Sequence, residues 1–264
     1  MAKRTAFSKW HGTGNDFVLI DDRDGRFPAD DLALVRHLCH RHFGIGSDGL
    51  ILLCAPKETG TDFHMEFFNP DGSRSFCGNG SRCAFAFWSQ LRGERHEAHF
   101  TAVDGAHLAQ WQGGEVAISM GDVAGVQGQL DEPDVDHIET GSPHDLVWVD
   151  EPARVDVRRE GALRRYAPHW EPHGTNVNFL RWHEGRVEMR TYERGVEDET
   201  LSCGTGVVAA AISALHRRHA RSPVEVLTSG GKLSVEACPT SLGGYVKIRL
   251  VGPVREVFQG TVDI

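Results

Sequence analysis

The 264-residue sequence has no long hydrophobic run and no excess of positive charge. Its longest apolar runs, residues 49–55 and 206–212, fall far short of the roughly 18 residues that suggest a membrane span. Lys and Arg total 28 against 37 Asp and Glu, and the resulting net charge of −9 disfavours a nucleic-acid-binding face. Residues 1–10 contain no apolar signal-peptide core. We therefore expect a cytoplasmic protein that binds neither membranes nor nucleic acids.

Lysine and cysteine are also scarce. None of the five lysines lies in a cofactor motif, which disfavours a pyridoxal-phosphate enzyme because such enzymes need a Schiff-base lysine and a phosphate-binding loop. Neither a Walker A nor a Rossmann glycine pattern is present. The six cysteines are few for this chain length, so we expect reduced thiols rather than a disulfide framework. The absence of these motifs therefore disfavours pyridoxal phosphate and nucleotide cofactors.

Short β-branched or apolar runs bounded by Gly, Pro, Asp or Asn predict strands. These runs are residues 17–21, 49–53, 63–68, 115–119, 146–149, 177–180, 187–191, 224–227, 232–235 and 245–250. Glycine pairs at 113–114, 230–231 and 243–244 predict hairpin turns. Helical periodicity occurs over residues 30–41, 80–91 and 206–219. The pattern indicates a strand-rich α+β protein with few helices.

One segment of the sequence occurs twice in related form. The run Met65–Asn69 precedes Cys77-Gly78-Asn79-Gly80, and Met189–Glu193 precedes Cys203-Gly204-Thr205-Gly206. The spacing between copies is 124 residues at the methionines (189 − 65) and 126 at the cysteines (203 − 77). An apolar helix is predicted after each cysteine, so we expect two related halves. A weaker similarity links residues 12–18 with residues 174–180.

Each Cys-Gly-x-Gly turn is predicted to begin a helix. Unpaired N–H groups and the helix dipole stabilise anions there, which favours the thiolate of a cysteine and the binding of a carboxylate. Two such turns facing one carbon would remove its proton from one side and return a proton to the other. Core packing is favoured for Cys39, Cys54 and Cys83, and the sequence gives Cys238 no role.

A metal site is the alternative for the cysteines and histidines. Cys77 and Cys83 are separated by five residues, which is not the usual spacing of zinc ligands. The cluster of residues 37–42 contains three histidines and Cys39, but its spacing does not place them on one helix face. We expect no metal.

The chain resembles the diaminopimelate epimerase family, a group of cofactor-independent epimerases, over most of its length. The resemblance rests on motifs at His11–Phe17, Asn69–Ser73, Cys77–Cys83, Tyr192–Gly195 and Ser202–Gly206. It implies an α+β fold of two pseudo-symmetric domains, each a curled, mostly antiparallel sheet around a central helix, with the active site in the cleft between them. We place the N-terminal half at residues 1–121 plus 254–264 and the C-terminal half at residues 122–253.

The resemblance also implies an activity. It is the epimerisation of LL-2,6-diaminopimelate to the meso form, without pyridoxal phosphate, in lysine biosynthesis and peptidoglycan precursor supply. The enzyme would be a homodimer, and it would bind diaminopimelate as its small-molecule substrate. Cys77 and Cys203 would be the catalytic base and acid and would exchange roles with reaction direction.

The remaining site residues are implied by the same resemblance. Asn15, Asn69 and Asn176 would bind the polar ends of the substrate, whereas such asparagines beside Gly or Pro often only cap turns. Arg194 would pair with a carboxylate; Glu193 would bind an ammonium group and, with His144, tune the thiols, although Glu193 and Arg194 also suit a surface ion pair. The N–H groups that would hold the reacting carboxylate belong to Gly78, Asn79, Gly204 and Thr205.

Two departures from the family pattern affect the distal end of the substrate. Gly49 replaces a glutamine often found there, and Ser142 replaces the asparagine of the usual Gly-Asn-Pro-His. A proline or hydroxyproline racemase-type enzyme with two cysteines remains an alternative. A binding protein that retains the cleft and a structural zinc protein are further alternatives from other classes.

Overall fold

The computed structural model describes residues 4–128, 132–217 and 219–264. The chain forms two compact units, Met1–Ile118 with Gly252–Ile264 (unit 1) and Ser119–Val251 (unit 2). The elements that begin in the first segment of unit 1 are β1 (Arg4–Gly12), β2 (Asn15–Asp22), α1 (Leu32–Cys39), β3 (Gly49–Cys54), β4 (Phe63–Phe68), α2 (Gly78–Leu91), β5 (Glu97–Ala102), β6 (Gly105–Gln112) and β7 (Glu115–Ser119).

Unit 2 follows with β8 (Gln127–Gly128), β9 (Val135–Glu139), β10 (Pro143–Trp148), α3 (Val157–Arg165), β11 (Asn176–His183), β12 (Arg186–Glu193), β13 (Asp198–Thr200), α4 (Gly204–His216), β14 (Val224–Thr228), β15 (Gly231–Pro239) and β16 (Tyr245–Gly252). The last strand, β17 (Arg255–Asp263), returns to unit 1 and pairs with β1. Residues 1–3, 129–131 and 218 fall within the predicted halves, and residue 218 within the predicted helix 206–219; they lie outside the described residues.

The sheet of unit 1 mixes antiparallel and parallel pairs. Strands β1 and β2 are antiparallel, β2 and β3 parallel, β3 and β4 antiparallel, and β4 and β5 parallel. Strands β5, β6 and β7 then form an antiparallel series. The turn from β6 to β7 contains Gly113 and Gly114 at φ 59° and 87°, a conformation that favours glycine. The hairpin predicted at residues 113–114 is therefore present between β6 and β7.

Unit 2 repeats that order of pairings. Strands β9 and β10 are antiparallel, β10 and β11 parallel, β11 and β12 antiparallel, and β12 and β14 parallel. Strands β14, β15 and β16 complete the antiparallel series. Helix α3 lies between β10 and β11, as α1 lies between β2 and β3. The internal repeat and the α+β fold predicted from the sequence are therefore confirmed.

Each unit has a buried central helix. Helix α2 packs against β1, β2, β3, β4 and β6, and its first twelve residues are buried. Helix α4 packs against β9, β10, β11, β12, β14 and β15, with residues 206–214 buried. A helix that is apolar on all sides is stable only when it is enclosed. The sheet of each unit supplies that enclosure by curling around its helix.

The weaker sequence similarity, between residues 12–18 and 174–180, does not mark equivalent positions in the two repeats. Asn15 begins β2, whereas Asn176 begins β11. By the order of pairings, β11 corresponds to β3, and β2 corresponds to β10. The resemblance arises because both strands begin after a glycine-containing turn.

Within the described ranges, no helix is both long and apolar enough to cross a membrane.

Candidate active site

Cys77 and Cys203 occupy equivalent positions in the two units. Each is the N-cap of the central helix, with extended backbone angles of φ −135° and ψ 109° at Cys77 and φ −111° and ψ 113° at Cys203. The carbonyl of Cys77 accepts from the N–H of Ser81 at 2.8 Å, and that of Cys203 accepts from the N–H of Val207 at 2.9 Å. Both sulfurs therefore lie where a helix dipole favours negative charge.

The glycines of these turns allow close approach to the cysteines. A Cβ atom on Gly206 would lie 2.7 Å from Oδ1 of Asn178, so a side chain there would displace a buried amide. A Cβ atom on Gly80 would lie 3.1 Å from Cδ1 of Ile51 and 3.5 Å from Cys77 Sγ. The N–H of Gly80 instead donates to that sulfur at 3.4 Å. The backbone thus reaches the first sulfur directly.

Asn15 contacts Cys77 from the start of β2. Oδ1 of Asn15 accepts from Cys77 Sγ at 3.8 Å and from the side-chain nitrogen of Asn79 at 3.2 Å. Nδ2 of Asn15 donates to Oδ2 of Asp48 at 2.8 Å. Because a carboxylate only accepts, Asp48 fixes the amide with its oxygen toward the sulfur. The structure therefore brings the predicted residues Asn15 and Asn79 together near Cys77 and adds Asp48, which the sequence did not predict.

An ionic network supports Asp48 and the start of β2. Arg41 contacts both Asp16, at 2.7 Å, and Asp48, at 2.5 Å, and Lys9 contacts the other oxygen of Asp16. Burial acts to raise the pKa of Asp16, but the hydrogen bonds from Arg41 and Lys9 prevail and hold that pKa at about 2. Asp16 therefore stays ionised at neutral pH and keeps the two cations in place.

Arg82 is a fully buried cation in the second turn of α2. Its relative exposure is 0% and its Nη2 donates to Thr13 Oγ1 at 3.3 Å. Among the residues that the structure describes, its Nε and Nη1 have no hydrogen-bond partner. Burial lowers the pKa of Arg82 to about 10, and the neighbouring sulfurs of Cys83 and Cys77 counteract that effect in part. The equivalent helix position in unit 2, five residues after Cys203, is the buried Val208.

Cys203 contacts a hydroxyl group that in turn contacts an imidazole ring. Its Sγ lies 3.5 Å from Thr205 Oγ1, which in turn lies 3.0 Å from Nε2 of His144. Ser142 Oγ is 3.0 Å from the same ring nitrogen and 3.3 Å from the threonine hydroxyl. Burial lowers the pKa of His144 to about 3, so the ring is neutral. The serine that departs from the family pattern is part of this network.

Asn176 contacts this network and the backbone of Arg194, and Glu193 precedes Arg194 at the end of β12. Nδ2 of Asn176 donates to the carbonyl of Pro143 at 3.0 Å and to Ser142 Oγ at 3.3 Å. Oδ1 of Asn176 accepts from the backbone N–H of Arg194 at 2.9 Å. One carboxylate oxygen of Glu193 accepts from the hydroxyl of Thr200 at 2.7 Å. Asn176 therefore links the end of β12 to the start of β10.

Asn69 stabilises its own loop between β4 and α2. Its Nδ2 donates to Ser73 Oγ at 3.0 Å and to Ser75 Oγ at 3.1 Å, and its backbone N–H donates to the carbonyl of Ser73 at 2.8 Å. These contacts are those of a turn-capping asparagine. Its predicted contact with substrate stays a prediction.

The remaining cysteines have core or surface positions. Cys39 and Cys83 are buried, Cys54 is partly buried, and Cys238 is exposed. Burial raises the pKa of Cys39 and Cys83, and it raises that of Cys54 to about 12. These three thiols are therefore protonated at neutral pH, as expected for packing groups. In residues 4–128, 132–217 and 219–264, no group of three or more His, Cys, Asp or Glu side chains is arranged to hold a metal ion.

Three residues near the cysteines were not predicted. Asp48 and Arg82 adjoin the Cys77 site, and Asn178 contacts His144. Each interrupts an otherwise apolar or glycine-rich element: Asn178 occurs in the buried strand β11, and Arg82 in the buried helix α2. For Arg82 and Asn178, a polar residue inside a buried run is the signal that identifies them, because burial favours a partner for the polar group. Asp48 lacks this signal, since its side chain is 41% exposed in a loop.

The fold matches that of solved structures with different activities. A PhzF-family phenazine biosynthesis protein from Bacillus anthracis superposes with a TM-score of 0.72 at 15% identity, covering 99% of this chain and 100% of that chain. A hydroxyproline epimerase from Agrobacterium vitis superposes with a TM-score of 0.70 at 18% identity, covering 100% of this chain and 94% of that chain. The class defined by the fold is thus a two-repeat α+β protein with a central helix in each repeat.

Sequence comparison gives the family. The model of the diaminopimelate epimerase family matches residues 7–126 and 137–248. The diaminopimelate epimerase of Flavobacterium psychrophilum is 40% identical over 262 residues, covering 96% of this chain and 98% of that protein. The chain belongs to the diaminopimelate epimerase family.

Proposed function

We propose that this chain is an isomerase that converts LL-2,6-diaminopimelate to meso-2,6-diaminopimelate with a pair of cysteines. The observation that carries the proposal is the equivalent placement of Cys77 and Cys203 as N-caps of two buried helices in a repeated fold. Family membership supports the substrate, since the matching relatives are named for it. The reaction would supply lysine biosynthesis and peptidoglycan precursors.

The chemistry requires one sulfur as a thiolate and the other as a thiol. The thiolate takes the α-proton from one face of the substrate carbon, and the C–H electron pair moves onto the adjacent carboxylate. The second thiol delivers its proton to the opposite face, which inverts the centre and leaves a thiolate behind. One proton is taken and one is given, so the next turnover in the reverse direction uses the cysteines in exchanged roles.

The hard step is removal of a carbon-bound proton without a cofactor as electron sink. In the proposal, the backbone N–H groups at the starts of α2 and α4 hold the reacting carboxylate and stabilise its developing charge. These N–H groups belong to Gly78, Asn79, Gly204 and Thr205. The proposed mechanism depends on this electrostatic stabilisation, and the reaction proceeds without a cofactor.

The distal amino-acid end of the substrate would be bound by side chains. Asn15, Asn69 and Asn176 offer both donors and acceptors to ammonium and carboxylate groups. Arg194 would pair with a carboxylate, and Glu193 with an ammonium group. The present contacts of Asn15 and Asn176, with Asp48 and Pro143, would hold these amides in position for the substrate.

We also propose how the chain is organised as an enzyme. Unit 1 and unit 2 would be the two catalytic halves, with the sulfurs of Cys77 and Cys203 meeting at one bound substrate. The enzyme would be a cytoplasmic homodimer. Light scattering of the purified protein tests the dimer, and cell fractionation tests the location.

The test is turnover of LL-diaminopimelate in heavy water, followed by chiral separation and mass measurement. We expect meso product that carries one solvent deuterium at the inverted carbon. Cys77→Ser and Cys203→Ser are each expected to lower the rate by about 10²–10⁴-fold, the usual contribution of a positioned acid or base. Cys238→Ser, which changes an exposed cysteine, is the matched control and should retain the rate.

Three outcomes would contradict the proposal. Turnover at an undiminished rate in the Cys77→Ser protein would exclude the two-thiol mechanism. Rapid racemisation of proline or hydroxyproline without turnover of diaminopimelate would assign the chain to the alternative activity. Tight binding of diaminopimelate without deuterium incorporation would indicate a binding protein.

A further inference from the structure

Asn178 is a buried amide with a fixed orientation. It lies on β11 with 0% relative exposure, and its Nδ2 is 3.2 Å from the main-chain carbonyl of Asp145. Because a carbonyl oxygen only accepts, the amide atom facing it must be the nitrogen. Oδ1 accepts from the hydroxyl of Thr191 at 2.9 Å on the other side. The amide is thus held at both ends and cannot rotate without losing two hydrogen bonds.

The amide determines which nitrogen of His144 carries the proton. Nδ2 of Asn178 also lies 3.1 Å from Nδ1 of the ring, so Nδ1 faces a donor and must accept. The ring is fully buried, which keeps it neutral, and a neutral imidazole carries a single proton. That proton is therefore on Nε2, which faces the hydroxyls of Ser142 and Thr205.

A protonated Nε2 also orients the two hydroxyls. Ser142 Oγ accepts from Asn176 and from the ring, so its own hydrogen is directed to Thr205 Oγ1 at 3.3 Å. Thr205 Oγ1 then accepts from the ring and from Ser142, which leaves Cys203 Sγ, at 3.5 Å, as the acceptor for its hydrogen. In this arrangement the hydroxyls of Ser142 and Thr205 donate in sequence, and the second of them donates to the sulfur.

We propose that Asn178 is a positioning residue that fixes His144 as the Nε2–H tautomer and thereby directs the hydroxyl of Thr205 at the sulfur of Cys203. A hydroxyl that donates to this sulfur stabilises its thiolate. With the proton on Nδ1 instead, Nε2 would accept and would draw a hydroxyl away from the sulfur. The effect on Cys203 rests on the proposed function, whereas the tautomer of His144 does not.

The first test reads the tautomer directly in the wild-type protein. Histidine labelled with ¹⁵N is incorporated, and the ring signals of His144 are identified by their absence from the His144→Gln variant. We expect the Nδ1 resonance of an unprotonated imidazole nitrogen and the Nε2 resonance of a protonated one at neutral pH. Protonation at Nδ1 would overturn the proposal, and this arm requires no variant of Asn178 to fold.

The second test changes the amide without changing its size. Asn178→Asp removes both donors, so we expect the proton of His144 to move to Nδ1. The kcat for epimerisation should then fall at least about tenfold, the effect of losing one hydrogen bond to a charged group, with a smaller change in KM. An unchanged tautomer in a folded Asn178→Asp protein would refute the positioning role.

Two further variants separate the steps of the argument. Thr205→Val removes the hydroxyl that contacts Cys203; it should lower kcat and leave His144 as the Nε2–H tautomer. Thr101→Val is the matched control, because Thr101 Oγ1 lies 2.8 Å from Nδ1 of His64 in unit 1. It should change the signals of His64 alone and retain the rate.

The failures of the two hypotheses are distinguishable. If the wild-type protein does not epimerise diaminopimelate, the proposed function fails while the NMR result still decides the tautomer. If the tautomer changes in Asn178→Asp but kcat does not, the network has no influence on the reaction at Cys203, and the catalytic part of the inference is overturned.

Discussion

Replacing the buried Arg82 with methionine is expected to stabilise the protein. The guanidinium has 0% relative exposure and a 3.3 Å hydrogen bond to Thr13, and its Nε and Nη1 have no partner within residues 4–128, 132–217 and 219–264. Its pKa of about 10 lies below the ordinary value for arginine of about 12.5, a difference that corresponds to about 3 kcal/mol of destabilisation. Methionine has a similar length and no charge to bury.

The expected gain is smaller than that cost because one hydrogen bond is lost. The bond to Thr13 contributes about 1 kcal/mol, so Arg82→Met should raise the free energy of unfolding by about 1–2 kcal/mol. The folded-state pKa is lowered, so the full cost of the charge is present below about pH 10 and is relieved as the pH rises above it. The equivalent position of α4 is occupied by an apolar side chain, the buried Val208.

Urea unfolding at neutral pH measures the effect, and an unchanged m-value verifies that the same surface is exposed. Arg154→Met is the matched control: that arginine is 82% exposed, and its loss should change stability by less than about 0.5 kcal/mol. The Arg82→Met enzyme should also be slower, since a positive charge near Cys77 is lost. A decrease in stability of about 1 kcal/mol or more would refute the reasoning, because it would mean that the guanidinium is satisfied in its buried position.

Two further predictions concern the network around Asn15. Asp16 has a pKa lowered to about 2, so it contributes about 1–2 kcal/mol of stability that is present above about pH 4 and is lost as the pH falls toward 2. Arg41→Gln should therefore move the midpoint of acid unfolding, measured by circular dichroism, to higher pH. An unmoved midpoint would contradict this prediction. Asp48→Leu removes the acceptor for Nδ2 of Asn15 and should lower the epimerase rate about tenfold. Asp48→Asn keeps an acceptor oxygen and should keep most of the rate. Equal rates in both variants would show that the Asn15 amide does not need this hydrogen bond.

The sequence predicted the strands and helices whose side chains are most regularly buried. The run 63–68 coincides with β4, and the apolar helix 80–91 differs from α2 only by its first two residues. The missed elements have weaker patterns. Strand β1 (Arg4–Gly12) begins with the polar residues Arg4 and Thr5. Helix α3 (Val157–Arg165) contains four arginines among its nine residues and buries Val157 and Gly161. Tertiary packing rather than local preference determines such segments.

The candidate site was predictable in part for the same reason. Cysteine before a glycine-rich helix start has a recognisable local pattern, so Cys77 and Cys203 were identified directly. Asp48 and Asn178 act through partners 33 residues away in the chain, Asn15 and Asp145, and no local pattern encodes such a contact. The correspondence between the repeats was also misassigned at Asn176, because strand pairing rather than sequence similarity defines it.

The two repeats share a backbone frame but differ in the side chains around each sulfur. Asn15 presents an acceptor oxygen to Cys77, whereas Cys203 faces the hydroxyl of Thr205, which the network of His144 directs toward it. An acceptor such as the Asn15 oxygen stabilises a thiol, whereas a donor such as the Gly80 N–H at Cys77 or the Thr205 hydroxyl at Cys203 stabilises a thiolate. The two sulfurs therefore have different sets of neighbours. The proposed mechanism needs one proton shared between two sulfurs, and identical surroundings would give both sulfurs the same preference. A repeated backbone with unlike side chains therefore suits a pair of groups that must hold opposite protonation states when the substrate binds.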